Sequence, residues 1–220
     1  MTKSFHPARS ILLAAALAGL GFLGGSIARA RWLDASTSPA PVAALAIDHT
    51  ADLHAGPAAA PVTVRIFGDY ECPACRQLEL TLGDTLLAFA NAGHIRLVYL
   101  HRPLAARRDA DQAAAAIACE PDLVRRWSVH RRLYDPAALP PADDAATLAV
   151  RALRLVSADS ARLSCFRSDT ILRHARAAIT AARNAGFHEV PTVLVDDRTV
   201  HYRTYHALLR HIRRALTDTR

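Results

Sequence analysis

Two thiols with two residues between them, Cys72-Pro73-Ala74-Cys75, carry the most evident chemistry of this 220-residue chain. That spacing lets the sulfurs close into a small ring, so the pair can open and close without moving the rest of the fold. The pair also falls where a strand hands over to a helix. A thiol at a helix N-terminus faces backbone N–H groups with no intrahelical partner and the positive end of the macrodipole, which favours the thiolate. Pro73 suits the first helical position, where no N–H is needed. The spacing alone also fits half of a zinc site, a c-type haem attachment or a purely structural bridge. No second C-x-x-C or H-x3-H lies at zinc spacing, and Arg76 stands where haem attachment needs His. A bridge closing so short a loop adds little stability. The favoured reading is a dithiol/disulfide redox site. Glu71 beside Cys72 sets a negative charge against the thiolate, although a solvated side chain pointing away is the simpler expectation.

Val190-Pro191 is the second stretch of interest. On the residues alone it reads as an ordinary trans proline starting a strand. An X-Pro bond is also the kind that turns cis at modest cost, about 0.5–1 kcal/mol. A cis proline facing the dithiol would present the backbone of residue 190 to a bound peptide.

The elements that must position these residues follow from periodicity. Val62, Val64 and Ile66 alternate with Thr63 and Arg65 ahead of Phe67, a strand closed by Gly68-Asp69-Tyr70-Glu71. From Pro73 onward Leu78, Leu82, Leu86 and Phe89 recur at helical spacing until Asn91-Ala92-Gly93 stops the helix. Gly83 inside it costs about 1 kcal/mol relative to Ala. Residues 95–100 are apolar nearly throughout, a strand buried on both faces. The pattern then turns helical, with candidates at 110–119, 123–134, 145–155 and 170–185, punctuated by Pro121, Pro136, Pro140 and Pro141. A strand at 192–195, a tight turn at Asp196-Asp197-Arg198 and a return strand at 199–202 make a hairpin. Tyr205, Leu208, Leu209, Ile212 and Leu216 line one face of a closing helix.

Phe67-Gly68-Asp69-Tyr70-Glu71-Cys72-Pro73-Ala74-Cys75 resembles the active-site segment of the DsbA-like branch of the thioredoxin superfamily. The likeness runs from about Gly56 to the last helix. Val190-Pro191-Thr192 resembles the cis-proline loop of that superfamily, and Trp127, His130, Leu133 and Tyr134 are similar to a segment of its inserted helical domain. The resemblance implies an α/β, thioredoxin-like fold with a helical domain inserted between the second and third strands, at about residues 105–186. It implies a thiol–disulfide oxidoreductase acting on protein substrates. Cys72 would form the mixed disulfide, Cys75 would resolve it, and Val190 and Pro191 would hold the substrate strand. No cofactor is needed, because the cysteine pair carries the two electrons; a membrane-bound or exported redox partner is needed to reset the site. Val190 before the proline resembles the oxidase branch, so a disulfide donor is expected. Ala74 departs from the His of the best-known oxidases and argues for a weaker oxidant, which keeps a reductase as the alternative. Isomerases of this kind typically dimerise through a dedicated domain where this chain has only a linker over residues 34–60, so an isomerase is the third alternative, and a monomer is expected. A tethered chaperone or a Cu(I) carrier is the alternative from another class; thiolates suit Cu(I), but Met1 is the only methionine.

With Cys72 and Cys75 assigned to each other, Cys119 and Cys165 are left as the remaining pair. They read as a structural bridge, as a second redox pair relaying electrons, or as two buried free thiols. A bridge there would contribute about 4 kcal/mol in the chain-entropy model. None of the eleven histidines makes a convincing cluster, so no metal site is expected.

Composition bounds these readings. With 51% apolar and 21% charged residues the chain is neither disordered nor a disulfide-dense scaffold. Its formal charge of +7 comes from scattered arginines, with Lys3 the sole lysine, so nucleic acid is not an expected partner. Lys3 and Arg9 precede residues 11–28, which carry no charge, and Arg29 and Arg31 follow. Residues 1–30 thus read as an export signal, favoured as an uncleaved inner-membrane anchor, although Ala28-Arg29-Ala30 fits a cleavage site. Residues 31–60, rich in Ala, Pro, Ser and Thr, read as a flexible linker. Residues 61–220 would then be the folded domain, on the periplasmic or extracytoplasmic side.

Overall fold

The computed structural model describes residues 36–39, 53–102, 108–135, 137, 147–156, 159–184 and 186–219. A six-stranded sheet organises them: β1 (Ser36–Pro39), β2 (Leu53–Ala55), β3 (Val62–Gly68), β4 (Ile95–His101), β5 (Thr192–Val195) and β6 (Arg198–His201). Its spatial order is β1-β6-β5-β3-β4-β2. β3 and β4 run parallel, with Ile66 opposite Tyr99, and β5 lies antiparallel on the other side of β3, with Thr192 opposite Phe67.

The pleat sorts side chains to two faces. Val62, Val64 and Ile66 of β3 face the same core as Ile95, Leu97 and Tyr99 of β4, together with Leu208 and Ile212 of α8 (Tyr205–Asp218). Phe67, Val98, Leu100 and Leu194 point the other way, against Ala182 of α7 (Asp169–Asn184) and Phe187 just past it. Phe67 and Phe187 stack with centroids 5.0 Å apart.

The helix after β3 is one continuous right-handed run in three parts. α1 (Pro73–Leu78) passes through a π-helical turn (Glu79–Gly83) into α2 (Asp84–Asn91). Between β4 and β5 lies the helical block: α3 (Arg108–Ala118), α4 (Leu123–Tyr134), α5 (Leu148–Leu155), α6 (Ser160–Phe166) and α7. This is a thioredoxin-like α/β fold with an inserted helical unit.

Two features depart from the sequence reading. The stretch 31–60, read as linker, contains β1 and β2, which pair antiparallel with β6 and β4 respectively. Strands of four and three residues are too short to show alternation; main-chain pairing with a neighbouring strand makes them. Gly56, just past β2, has φ +81°, and a Cβ there would lie 2.2 Å from the Ile95 carbonyl oxygen. The short α6 was also not anticipated; Asp159 caps it by accepting the Arg162 N–H at 2.9 Å. At the hairpin, Asp196 and Asp197 take φ of +47° and +62°, the pattern of a two-residue primed turn. Among the described residues no helix is long and apolar enough to cross a membrane. Segment 11–28, with its anchor or cleavage reading, lies outside the described residues.

Candidate redox site

Gly68 ends β3 where no side chain fits, since a Cβ would sit 2.6 Å from the Tyr99 hydroxyl oxygen. Asp69, buried at the strand end, then shapes the turn. Its carbonyl accepts the Cys72 N–H at 3.0 Å and its carboxylate accepts the Glu71 N–H at 2.9 Å. Cys72 is the N-cap of α1 with extended backbone, Pro73 fills the first helical position, and the Arg76 N–H closes the first turn on the Cys72 carbonyl at 3.0 Å. Glu71 is exposed at the mouth.

Burial then divides the two thiols. Cys72 is half-buried, whereas Cys75 is 3% exposed; both are free in this structure. Burial pushes the Cys75 thiol well up, only partly offset by a hydrogen bond from the Asp69 backbone, and the nearby Cys72 and Asp69 push it further the same way. Cys75 is therefore a protonated thiol at neutral pH.

Val190 and Pro191 reach the same place from the far end of the sequence. Pro191 leads into β5, which pairs with the end of β3, and the Val190-Pro191 bond is cis. The Cys72 thiol donates to the Val190 carbonyl at 3.7 Å, across 118 positions of sequence. From the other side, the Tyr205 hydroxyl of α8 donates to the Ala74 carbonyl at 3.5 Å. The geometry thus sets an accessible thiol between a helix start and a strand start, with a second thiol behind it.

Under the site lies a ring cluster that sequence reasoning did not assemble. Tyr70 stacks on His101 with centroids 5.3 Å apart, and its hydroxyl is 2.9 Å from His130 Nδ1. His130 is wholly buried, and its Nε2 lies 3.5 Å from a carboxylate oxygen of Glu79. The Tyr99 and Tyr134 hydroxyls are 2.5 Å apart. Burial pushes the hydroxyls of Tyr70, Tyr99 and Tyr134 up, so all three stay protonated, and the charges of neighbouring groups add to this. The available signals were the placement of Tyr70 two residues before Cys72 and of Glu79 one turn after Cys75. Trp127, His130 and Tyr134 share a stripe of α4, and the Trp127 indole N–H ties it to the His54 carbonyl at 2.9 Å.

The other two cysteines lie in the helical block. A disulfide joins Cys119, just past α3, to Cys165 in α6. Beside it the buried Glu120 carboxylate meets Arg162 at 3.3 Å and Arg125 at 3.5 Å, so the same junction is held by charge. Among the described residues no group of three His, Cys, Asp or Glu side chains is placed to hold a metal ion.

Residues 48–214 match the family model described as Thioredoxin, with the cysteine pair and the proline loop inside the matched range. The chain belongs to the thioredoxin family. Solved structures with this architecture include BdbD from Bacillus subtilis, with a TM-score of 0.63 and 18% identity over 84% of this chain and 99% of that one. Reduced DsbA from Mycobacterium tuberculosis gives 0.58 and 16%, covering 76% and 96%. DsbG, a disulfide bond oxidoreductase of the same organism, gives 0.60 and 18%, covering 77% and 89%. At these identities the likeness to this thioredoxin-family chain is one of fold. A further relative is the Na(+)/H(+) antiporter NhaA 1 of Salinispora arenicola, 39% identical over 85 residues. That stretch is 38% of this chain and only 13% of the antiporter.

Proposed function

We propose that this thioredoxin-family chain is an exported thiol–disulfide oxidoreductase that donates disulfides to protein substrates through Cys72 and Cys75. The observation that carries the reading is the split between the two thiols: Cys72 at the surface beside the Val190 carbonyl, Cys75 buried behind it. In the oxidised chain a substrate thiolate attacks Cys72 Sγ. The Cys72–Cys75 bond breaks, and Cys75 leaves as a thiolate that takes up a proton. A second substrate thiolate then attacks the substrate sulfur of the mixed disulfide, and Cys72 departs as a thiolate. Two electrons have passed to the cysteine pair, and a redox partner must remove them. Val190 and Pro191 hold the substrate strand, since Pro191 has no N–H and leaves the Val190 carbonyl to face it.

Export rests on the basic start and the uncharged run 11–28, which would also serve as the inner-membrane anchor with the folded domain outside. The chain would act as a monomer.

The test is a trapping experiment. In a Cys75→Ala chain the lone Cys72 thiolate attacks a substrate disulfide, and no Cys75 thiol is there to attack Cys72 Sγ and expel the substrate again, so substrates accumulate as reducible adducts; Cys72→Ala gives none. A Cys75→Ala chain that traps nothing in its own compartment removes the exchange reading. The reduction potential of the pair decides direction: a value near ~−120 mV marks a donor and one near ~−270 mV a reductant.

A further inference from the structure

A groove of about 730 Å³ opens directly from Cys72, between α1 and the helical block. One wall carries Cys72, Pro73, Arg76 and Gln77, and the other includes Leu133, Leu148 and Arg151. Arg76 stands one helical turn beyond Cys72, on the same side of the helix, and is exposed. Among the described residues its guanidinium takes part in no ion pair or side-chain hydrogen bond. The groove also holds two carboxylates. That of Asp109 is occupied by the first N–H groups of α5, accepting from Leu148 at 2.7 Å and Ala149 at 3.1 Å. Glu71 stands on the opposite side of Cys72 from Arg76 along the chain. Arg76 is thus a cation one turn beyond the reacting sulfur on the α1 wall of the groove, with Glu71 also lining the groove and apolar Leu133 and Leu148 on the facing wall.

We infer that Arg76 selects substrates, so that the chain prefers a cysteine with an acidic residue within about two positions of it on the groove side. The inference rests on the proposed exchange at Cys72 and adds to it a class of substrate. The spacing follows from geometry: Arg76 lies about 5–6 Å from Cys72 along the helix, and an extended substrate advances about 3.3 Å per residue. An exposed ion pair is worth up to about 1 kcal/mol, or roughly fivefold in rate constant.

The experiment compares two reduced dithiol peptides, identical except that Asp or Lys flanks the reacting cysteine, as substrates of the oxidised full chain. The readout is the ratio of their kcat/KM values, in which any effect common to both peptides cancels. The wild type is expected to favour the Asp peptide by about fivefold. Arg76→Glu should invert the preference, Glu71→Gln should increase it, and 1 M salt should collapse it toward unity. Equal rates for the two peptides, or a ratio unmoved by Arg76→Glu, overturn this inference and leave disulfide exchange standing. No exchange with either peptide overturns both.

Discussion

Cys75 lies one helical turn in from Cys72, and burial separates their chemistry. The Cys75 thiol is raised from its ordinary value of 9.0 chiefly because the thiolate cannot be solvated there. Above pH 9 the unfolded reduced chain releases that proton while the folded chain keeps it. Stability therefore falls as pH rises, at most by about 1.4 kcal/mol per pH unit from this group. In the oxidised chain Cys75 cannot titrate. Above pH 9 the denaturation curve of the reduced chain should lose ground relative to that of the oxidised chain. The buried tyrosines also lower stability above their ordinary value of 10.0, but they do so in both redox states. A gap that stays constant through pH 10 contradicts the buried-thiol account.

The helix that carries the dithiol is shaped by one pair of residues within it. Helix propensity alone makes Gly83 a defect that Ala repairs by about 1 kcal/mol. Packing reverses the sign. A Cβ at Gly83 would lie 2.3 Å from Glu79 Oε1, and that carboxylate lies 3.5 Å from His130 and 3.8 Å from Arg131 in a site only 9% exposed, with little room to give way. Gly83→Ala is expected to cost about 1–3 kcal/mol in urea denaturation. In a Glu79→Ala background the same substitution should become neutral or stabilising. A Gly83→Ala chain more stable than the wild type would show that the Glu79 carboxylate yields to the added methyl group. The same carboxylate explains why an acid follows Cys75 by one turn: it faces the His130–Tyr70 contact beneath the site, not solvent.

Across the whole molecule, the site is assembled where the ends of β3, β4 and the start of β5 meet, with helices on both faces of the sheet. The helical block carries an internal covalent link of its own, between the end of α3 and α6. The Cys119–Cys165 disulfide closes a separation of 46 residues, for which the chain-entropy model gives about 4 kcal/mol. Replacing both cysteines by Ala should lower stability on that scale while leaving exchange at Cys72 within about twofold, measured with a dithiol peptide. A double variant that stays folded but no longer turns over would assign the pair to an electron relay instead.

The sequence by itself determined the local features. Alternation in Val62, Val64 and Ile66, helical spacing after Pro73 and the Asp-Asp turn are properties of short windows, and the C-x-x-C pair is close enough in sequence to be read without a fold. Even so, the residues around Val190-Pro191 read as a plain strand start until the family resemblance was added. Only the tertiary structure brought the Val190 carbonyl to Cys72, sank Cys75, joined Glu79 to His130 and set Arg76 at the mouth of a groove. These depend on contacts between positions far apart in the chain, made through strand pairing and packing of the helical block. No periodicity within a window encodes such contacts. The edge strands β1 and β2 stayed hidden for a related reason: their main chains, rather than their side-chain patterns, hold them in the sheet.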